Sequence, residues 1–550
     1  MSTPRQRFDG WTSIAVTLTA GYLLIVIWPL MQVLLSSVSN GAEFSLAGFA
    51  TFFSSRLYYG TLQNSVVVTV CVTVLALVVA FPLAYFMTMY RVKGSKTIQV
   101  LILASMMSPP FIGAYSWILM LGNNGIITRG IQNMFGFKPP SIYGFSGIIL
   151  VLTLQLVPLI FTYLMGAWRT VDVSVLEAAE SLGATGWRRI RKVIFPLLWP
   201  TVLAGSLLVF VRAFADFGTP MLIGQGFRTI PVLIYSSFVG EVSTDHNFAA
   251  AIAVIVMAVT LAVFLVQKYL VGRQKFTMTA MRPIEPRRLQ GASGWAVHLY
   301  VYGFLTLALA PLVVVVVSSF RKTLYGQFVN GYTFENYTKS QRDILRYVTN
   351  TFGIGLTALA ILVIIAVLVA YLTVRRKGPL TNTLDTMTMV PYVVPGLVIG
   401  IALVATFSHG PLQLTGTIAI MVIALTIRRI PYSVRSTTAL MQQLSPTVEE
   451  AAISLGASKF RTFMRVIVPA LAPGILSGAI LSWVTIITEL STTLFLYNVS
   501  TQTLSLGIYA EVIRGQLGTA AALSTLLLLL TILSLVLLMK LPGGQKELRV

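Results

Sequence analysis

A chain of 550 residues that is 56% hydrophobic and only 10% charged, with mean hydropathy +0.83, carries more apolar surface than a soluble core can bury. Its formal charge of +22, from 39 Lys and Arg against 17 Asp and Glu, would suit a polyanion binder only if the basic residues shared one surface. They are instead distributed between apolar runs, which speaks against nucleic acid and points to the lipid bilayer as the partner.

Runs of roughly 20 apolar residues, enough as helix to cross about 30 Å of hydrocarbon, recur through the chain. The first, 11–36, precedes the small residues Ser37-Val38-Ser39 and so resembles a cleavable leader. It is longer than a leader's apolar region, and its removal would leave an odd number of spans, so it is expected to remain as a first helix. Spans follow at 62–89, 98–120, 145–168, 201–223 and 247–270. The sole cysteine, Cys71, falls inside a span as a packing residue, so no disulfide framework and no thiolate metal site is expected. A polar, basic linker at 271–294 leads to a second set of spans at 295–318, 348–373, 384–407, 415–440, 474–497 and 519–539. The expected fold is all-α and membrane-integral, with about 12 transmembrane helices in a first half, 1–270, and a second half, 295–550.

The halves repeat one another. Between windows 176–200 and 449–473, 13 of 25 positions are identical, including Glu-Ala-Ala, Ser-Leu-Gly-Ala and two prolines. Asn64 matches Asn350, Tyr85 matches Tyr371 and Pro109 matches Pro395 at an offset of 286; beyond a longer segment in the first half the offset is 273, and Pro158 meets Pro431. Six spans per half make the repeats parallel, an arrangement that places a transport pathway between halves. With the N-terminus in the cytoplasm, 25 of the 39 Lys and Arg fall in cytoplasmic tails, turns and loops. The clusters Arg91/Lys93/Lys96, Arg188/Arg189/Arg191/Lys192, Arg273/Lys275 with Arg282/Arg287/Arg288, and Arg375/Arg376/Lys377 share that side. Both termini and both repeated loops are therefore expected in the cytoplasm.

In each loop (170–200 and 441–473) a glutamate is expected to open a short helix of small residues. A glycine follows six positions later, and a second amphipathic helix ends in proline. The pattern resembles the EAA loop of type I ABC importer permeases. Glu177, Ala178, Ala179, Gly183, Val193 and Pro196 carry it in the first half, and Glu450, Ala451, Ala452, Gly456, Val466 and Pro469 in the second. The usual Ile-x-Leu-Pro ending stands here as Val-Ile-Phe-Pro and Val-Ile-Val-Pro. The resemblance implies that each first helix couples to a groove of a separate ATPase, two copies in all, and that a periplasmic or lipoprotein binding protein delivers substrate across a bacterial inner membrane. The chain has no GxxxxGK[ST] loop, so it is not expected to hydrolyse ATP unaided; the resemblance implies a permease that is not an enzyme and has no cofactor of its own, with ATP and Mg on the partner ATPase.

The fused form, with IRRIPYSVRS at 427–436 and TELSTTLFLY at 488–497, is similar to the ferric iron branch of that family. Other branches carry phosphorylated sugars, phosphonates, thiamine, sulfate or polyamines, so ferric iron stands beside a phosphorylated compound as the alternative cargo. Outside the class, a secondary transporter would need no ATPase.

Charges inside spans bear on the cargo. Asp216 and Glu489 both stand 20 residues after the loop prolines and are expected well inside helices, where an ionised group costs about 2.5 to 3.5 kcal/mol unless paired or solvated. Two readings remain. Arg212, four residues before Asp216, could pair with it on one helix face, and Arg428 or Arg429 could pair with Glu489. Alternatively, the acids guide a hard cation that prefers oxygen ligands. The arginines, replaced by Gln155 and Leu156 in the first half, would suit phosphate or an anion-bound iron. Ser491, Thr492 and Thr493 offer hydroxyls, and Pro109-Pro110 and Pro395-Gly396 could unwind equivalent third helices. His246, beside Asp245, is a weak metal candidate; no metal site is assigned.

Overall fold

The computed structural model describes every residue except 1–8, 41–42, 107–108, 240–244, 273–281, 283, 339–340, 410 and 541–550. Arg273 and Lys275 of the basic linker lie outside the described residues. The protein is an all-α membrane protein. Among the described residues, eight helices are long and apolar enough to span a bilayer, and three bent pairs bring the number to 11 if each pair counts once. The expected span 415–440 is the helix Ile418–Gln443, of 26 residues. At 1.5 Å per residue it has ample length, but Arg428, Arg429 and Arg435 make it polar. Strand is confined, among the described residues, to two small antiparallel hairpins, Ser39–Asn40 with Glu43–Phe44 and Arg321–Leu324 with Gln327–Tyr332.

Two compact units result, one of residues 1–49, 245–257 and 320–550, the other of 50–244 and 258–319. Their boundaries differ from those of the sequence halves because the first helix of each half packs with the other half's helices. In the unit holding 320–550, Trp11 at the start of the helix Gly10–Tyr22 lies 4.6 Å from Tyr371 and 5.0 Å from Phe463, ring to ring. In the other unit, Tyr300 of the helix Gly291–Ser319 donates its hydroxyl to the carbonyl of Val79 at 2.9 Å.

Lipid removes the hydrophobic drive between helices, so packing depends on close approach of small residues and on internal hydrogen bonds. At Gly478 an added Cβ would stand 2.8 Å from Ser433 Cα, and one turn on Ser482 bonds Ser433 at 2.9 Å. In the helix Arg56–Met89, Val68, Val72, Ala76, Ala80 and Leu83 recur at helical spacing and are buried against neighbours. Val67, Val70, Val74 and Val78 of the same helix are exposed, an apolar face suited to acyl chains. The matched asparagines have matched duties: Asn64 Nδ2 donates to Arg228 O at 3.0 Å, and Asn350 Nδ2 to Ser500 O and Gln502 O at 2.7 and 2.9 Å.

The expected third helices are broken where proline stands. Ser95–Met106 and Phe111–Phe135 meet at 99°, and Pro379–Val393 and Gly396–Phe407 at 111°. The expected spans 201–223 and 474–497 are also interrupted. Helix ends at Phe214 and resumes at Gly218; in the second repeat it ends at Ile487, and a short 3-10 turn follows at Thr493–Phe495.

Candidate functional site

The two repeated loops fold alike. In the first, Asp172 caps the helix Val173–Ser181 by accepting from Ser174 N at 2.9 Å; in the second, Ser445 caps Pro446–Ser454 by accepting from Thr447 N at 3.3 Å. The glutamates Glu177 and Glu450 therefore sit in the middle of these helices instead of opening them, because the polar caps lie several residues earlier. Both helices stop on a left-handed glycine, Gly183 at φ +79° and Gly456 at φ +86°. Gly183 N donates to Glu180 O and Ala184 N to Ala179 O, at 2.9 and 2.8 Å; Gly456 N to Ile453 O and Ala457 N to Ala452 O repeat the pair at 2.9 and 3.1 Å. This double closure is a Schellman end, and it explains the fixed interval between Glu-Ala-Ala and Gly.

Each loop then continues through one turn of π-helix, Ile190–Ile194 and Phe463–Ile467, before the proline. The chain does not stop at Pro196. Its missing N–H falls at the start of the next helix, which runs to Phe214. Ala178 and Ala451 are exposed with their glutamates, while Ala179 is buried and Ala452 half-buried. Leu182, 87% exposed, and Leu455, 90% exposed, project beside the glycines, with Trp187 and Phe460 also largely exposed. Side chains of this kind at matched places in both loops form an apolar face that water disfavours.

Each loop is tied to the segment that leads into the exchanged first helix of its unit. Arg282 Nη1 is 3.3 Å from Glu177 Oε2, and Arg282 N donates to Asp172 at 3.2 Å. In the other unit Asp9 pairs with Arg376 at 3.1 Å and with Lys459 at 3.8 Å. The less exposed glutamate of the second loop is Glu449, half-buried, which accepts from Tyr371 Oη at 2.6 Å and lies 3.4 Å from Arg375 Nε.

Asp216 and Glu489 occupy the breaks, not helix interiors. Asp216 Oδ1 accepts from Thr219 N at 2.9 Å, and Glu489 Oε1 from Thr492 N at 3.1 Å, so each acid caps the chain three residues on. Apolar residues flank both breaks closely, Phe214 and Phe217 at the first and Ile487 and Leu490 at the second, so hydropathy averaged over a whole span does not show them. Arg212 is exposed, and no ion pair joins it to Asp216 among the described residues; the helix ends at Phe214, so the four-residue spacing no longer puts the two on one face.

Around Glu489 a cluster closes. Its side chain is 3% exposed; Arg428 Nε donates to Oε2 at 3.0 Å, and Arg429 Nη2 donates both to Oε2 and to Thr485 O, the latter at 3.0 Å. Thr492 Oγ1 adds a bond to Oε1 at 3.2 Å. Gly396 makes room: a Cβ there would meet Arg428 Nη1 at 2.2 Å and Thr492 Oγ1 at 2.6 Å. Thr493 bonds back to its own turn at Leu490 O, 3.1 Å away. The side chain of His246 lies outside the described residues.

Residues 76–276, and again 363–541, match the family described as binding-protein-dependent transport system inner membrane component. The ferric transport system permease protein FbpB of Actinobacillus pleuropneumoniae is 26% identical over 521 residues, covering 92% of this chain and 74% of that protein. A putative ferric transport system permease protein, FbpB 1 of Haemophilus influenzae, is 25% identical over 87% of this chain and 76% of its own length. A putative 2-aminoethylphosphonate transport system permease protein, PhnU of Salmonella paratyphi A, is 29% identical but over 43% of this chain, with 83% of PhnU covered. With the family matched twice along one polypeptide, each match enclosing one of the repeated loops, the chain belongs to the binding-protein-dependent inner membrane permeases, as a fused two-half permease of the type I ABC importers.

Proposed function

We propose that the permease carries ferric iron. The observation that carries this reading is that two relatives named as ferric transport permeases match 92% and 87% of the chain, whereas the phosphonate permease matches less than half of it. The site chemistry is compatible: oxygen donors suit a hard cation, and the arginine excess over Glu489 suits an iron that keeps an anionic ligand.

Energy comes from two copies of an ATPase subunit, one for each loop, with Leu182, Gly183 and Trp187 or Leu455, Gly456 and Phe460 presented to its groove. Glu177, Ala178, Ala179, Glu450, Ala451 and Ala452 form the coupling helices. The loops and both termini face the cytoplasm of a bacterial cell, and the binding protein docks on the outer face. Asp216 and Glu489 hold the broken helices open at membrane depth, and Arg428 and Arg429 set the local charge.

Reconstitution with the ATPase and binding protein tests the cargo. ATPase stimulation by the binding protein loaded with ferric iron, and not with a hexose phosphate or aminoethylphosphonate, is expected. Stimulation by a phosphorylated compound alone would overturn the iron reading and move attention to the arginines.

A further inference from the structure

In the unit of residues 50–244 and 258–319, a cavity of about 950 Å³ opens between the helix Val173–Ser181, the end of the helix Arg56–Met89 and residues 284–289. The last of these run as a strap: Arg287 N donates to Met89 O at 2.9 Å and Arg91 N to Arg287 O at 3.0 Å. The lining is charged but unbalanced. Arg282 is paired with Glu177 at 3.3 Å and Arg189 with Glu180 at 3.2 Å. That leaves Arg91, Arg287 and Arg288 against Glu285, with Arg91 Nε also on Pro286 O at 3.0 Å. Tyr85 and Tyr90, edge to face at 5.9 Å, add two hydroxyls to the wall.

The second repeat fills the same place with its own side chains. Tyr371, the counterpart of Tyr85, is covered by Trp11 and Phe463, and its hydroxyl is bound to Glu449, which Arg375 neutralises. The positions that match Arg375 and Glu449 at the two offsets are Met89 and Leu176, and both line the cavity. The opening is therefore not a by-product of the shared fold. One repeat plugs the site with an acid and an aromatic ring, and the other leaves it open and basic. Its volume lies in the range of small-molecule sites, about 300 to 1,000 Å³.

We propose that this cavity binds a small dianion of the phosphate class, held by Arg91, Arg287 and Arg288, with the tyrosine hydroxyls as neutral donors. Arginine forks match tetrahedral oxyanions, and two negative charges offset the cationic excess. Arg282, two residues before the strap, already pairs with Glu177 of the loop helix, so an anion between strap and helix stiffens the first loop. A damping of ATPase coupling by cytoplasmic phosphate compounds follows; that step rests on the coupling role given to the loop, whereas binding does not.

Calorimetry on the full chain in lipid nanodiscs, without ATPase or binding protein, separates the two. Inorganic phosphate and glucose 6-phosphate, titrated at low salt, are expected to bind saturably at one site with Kd below about 1 mM. The double variant Arg287→Gln/Arg288→Gln should weaken binding at least tenfold, and Arg169→Gln, an exposed charge outside the cavity, should leave it unchanged. Leu176→Glu, which copies the second repeat's plug without removing an arginine, should weaken binding to the same degree. Absence of saturable binding, equal weakening by Arg169→Gln, or undiminished binding in Leu176→Glu would overturn the proposal and leave the transport reading intact.

Discussion

Replacing Glu489 by Gln tests whether the intramembrane cluster holds the unit of 320–550 together. Gln retains an oxygen for Thr492 and nearly the same volume, so the change removes charge and little else. It leaves Arg428 and Arg429, with side chains 20% and 10% exposed, without their shared carboxylate. Deleting one partner of a buried pair costs about 3 to 5 kcal/mol, because the remaining charge stays desolvated. Asp216→Asn supplies the contrast. Asp216 keeps its backbone contact with Thr219 as an amide and abandons no arginine, so the cost is the difference between a charged and a neutral hydrogen bond, about 1 kcal/mol. Unfolding of the purified permease by SDS in mixed micelles, followed by tryptophan fluorescence, measures both. Adding Arg429→Gln to Glu489→Gln should recover part of the loss, with a coupling of about 1 to 3 kcal/mol in a double-mutant cycle. If Glu489→Gln costs no more than Asp216→Asn, or the two cluster changes are additive, the buried pair does not stabilise the bundle and the reasoning fails.

Gly183→Val or Gly456→Val should misplace the loop, since a left-handed residue with a side chain costs about 1 to 2 kcal/mol; loss of substrate-stimulated ATPase with an intact membrane fold is the expected result, and unchanged stimulation would count against it. Leu182→Asp with Leu455→Asp should release the ATPase subunits, because each exposed leucine offers roughly 1.5 to 3 kcal/mol on burial; retention in co-purification would show that the docking face lies elsewhere. Burial raises the Asp9 carboxyl, but the Thr12 amide, Arg376 and Lys459 outweigh it and hold its pKa below the usual value. Its stabilising contribution is thus present above an unfolded pKa of about 3.9 and lost as pH falls through the lower folded value; Asp9→Asn should reduce stability at pH 7 and flatten that acid limb of the stability curve.

The duplicated loops were legible in the sequence because their end requires glycine at one position and small residues before it. The packing units were not. The exchange of first helices is recorded in contacts such as Trp11 with Tyr371 and Tyr300 with Val79, between residues far apart in the chain and of ordinary membrane composition. Glu450 carries the motif, yet the glutamate bonded to a neighbouring helix is Glu449, whose role depends on Tyr371 and Arg375 there. Leu182 and Leu455 were visible in the shared Ser-Leu-Gly-Ala, but an apolar residue in an apolar chain carries no signal until its exposure is known. The breaks at Asp216 and Glu489 had a subtler mark: each acid is followed three residues later by threonine, the interval of a capping bond.

That interval separates what the membrane requires from what the cargo selects. A helix interrupted in lipid leaves backbone donors with no water to satisfy them, so an acceptor must be supplied locally. Asp216 and Glu489 supply it with the same geometry in both repeats, whichever residues surround them. Arg428 and Arg429 have no such obligation, because Gln155 and Leu156 occupy their places in the first repeat and the break there is capped all the same. Replacing either acid by a residue with no side-chain acceptor should therefore damage folding for any substrate, whereas neutralising the arginines while Glu489 becomes an amide should alter which substrate is carried. Uptake assays on the paired replacement Arg428→Gln/Arg429→Leu with Glu489→Gln, which keeps the cap and removes the cations, are expected to show a folded permease with reduced iron transport; full iron transport would locate selectivity outside this cluster.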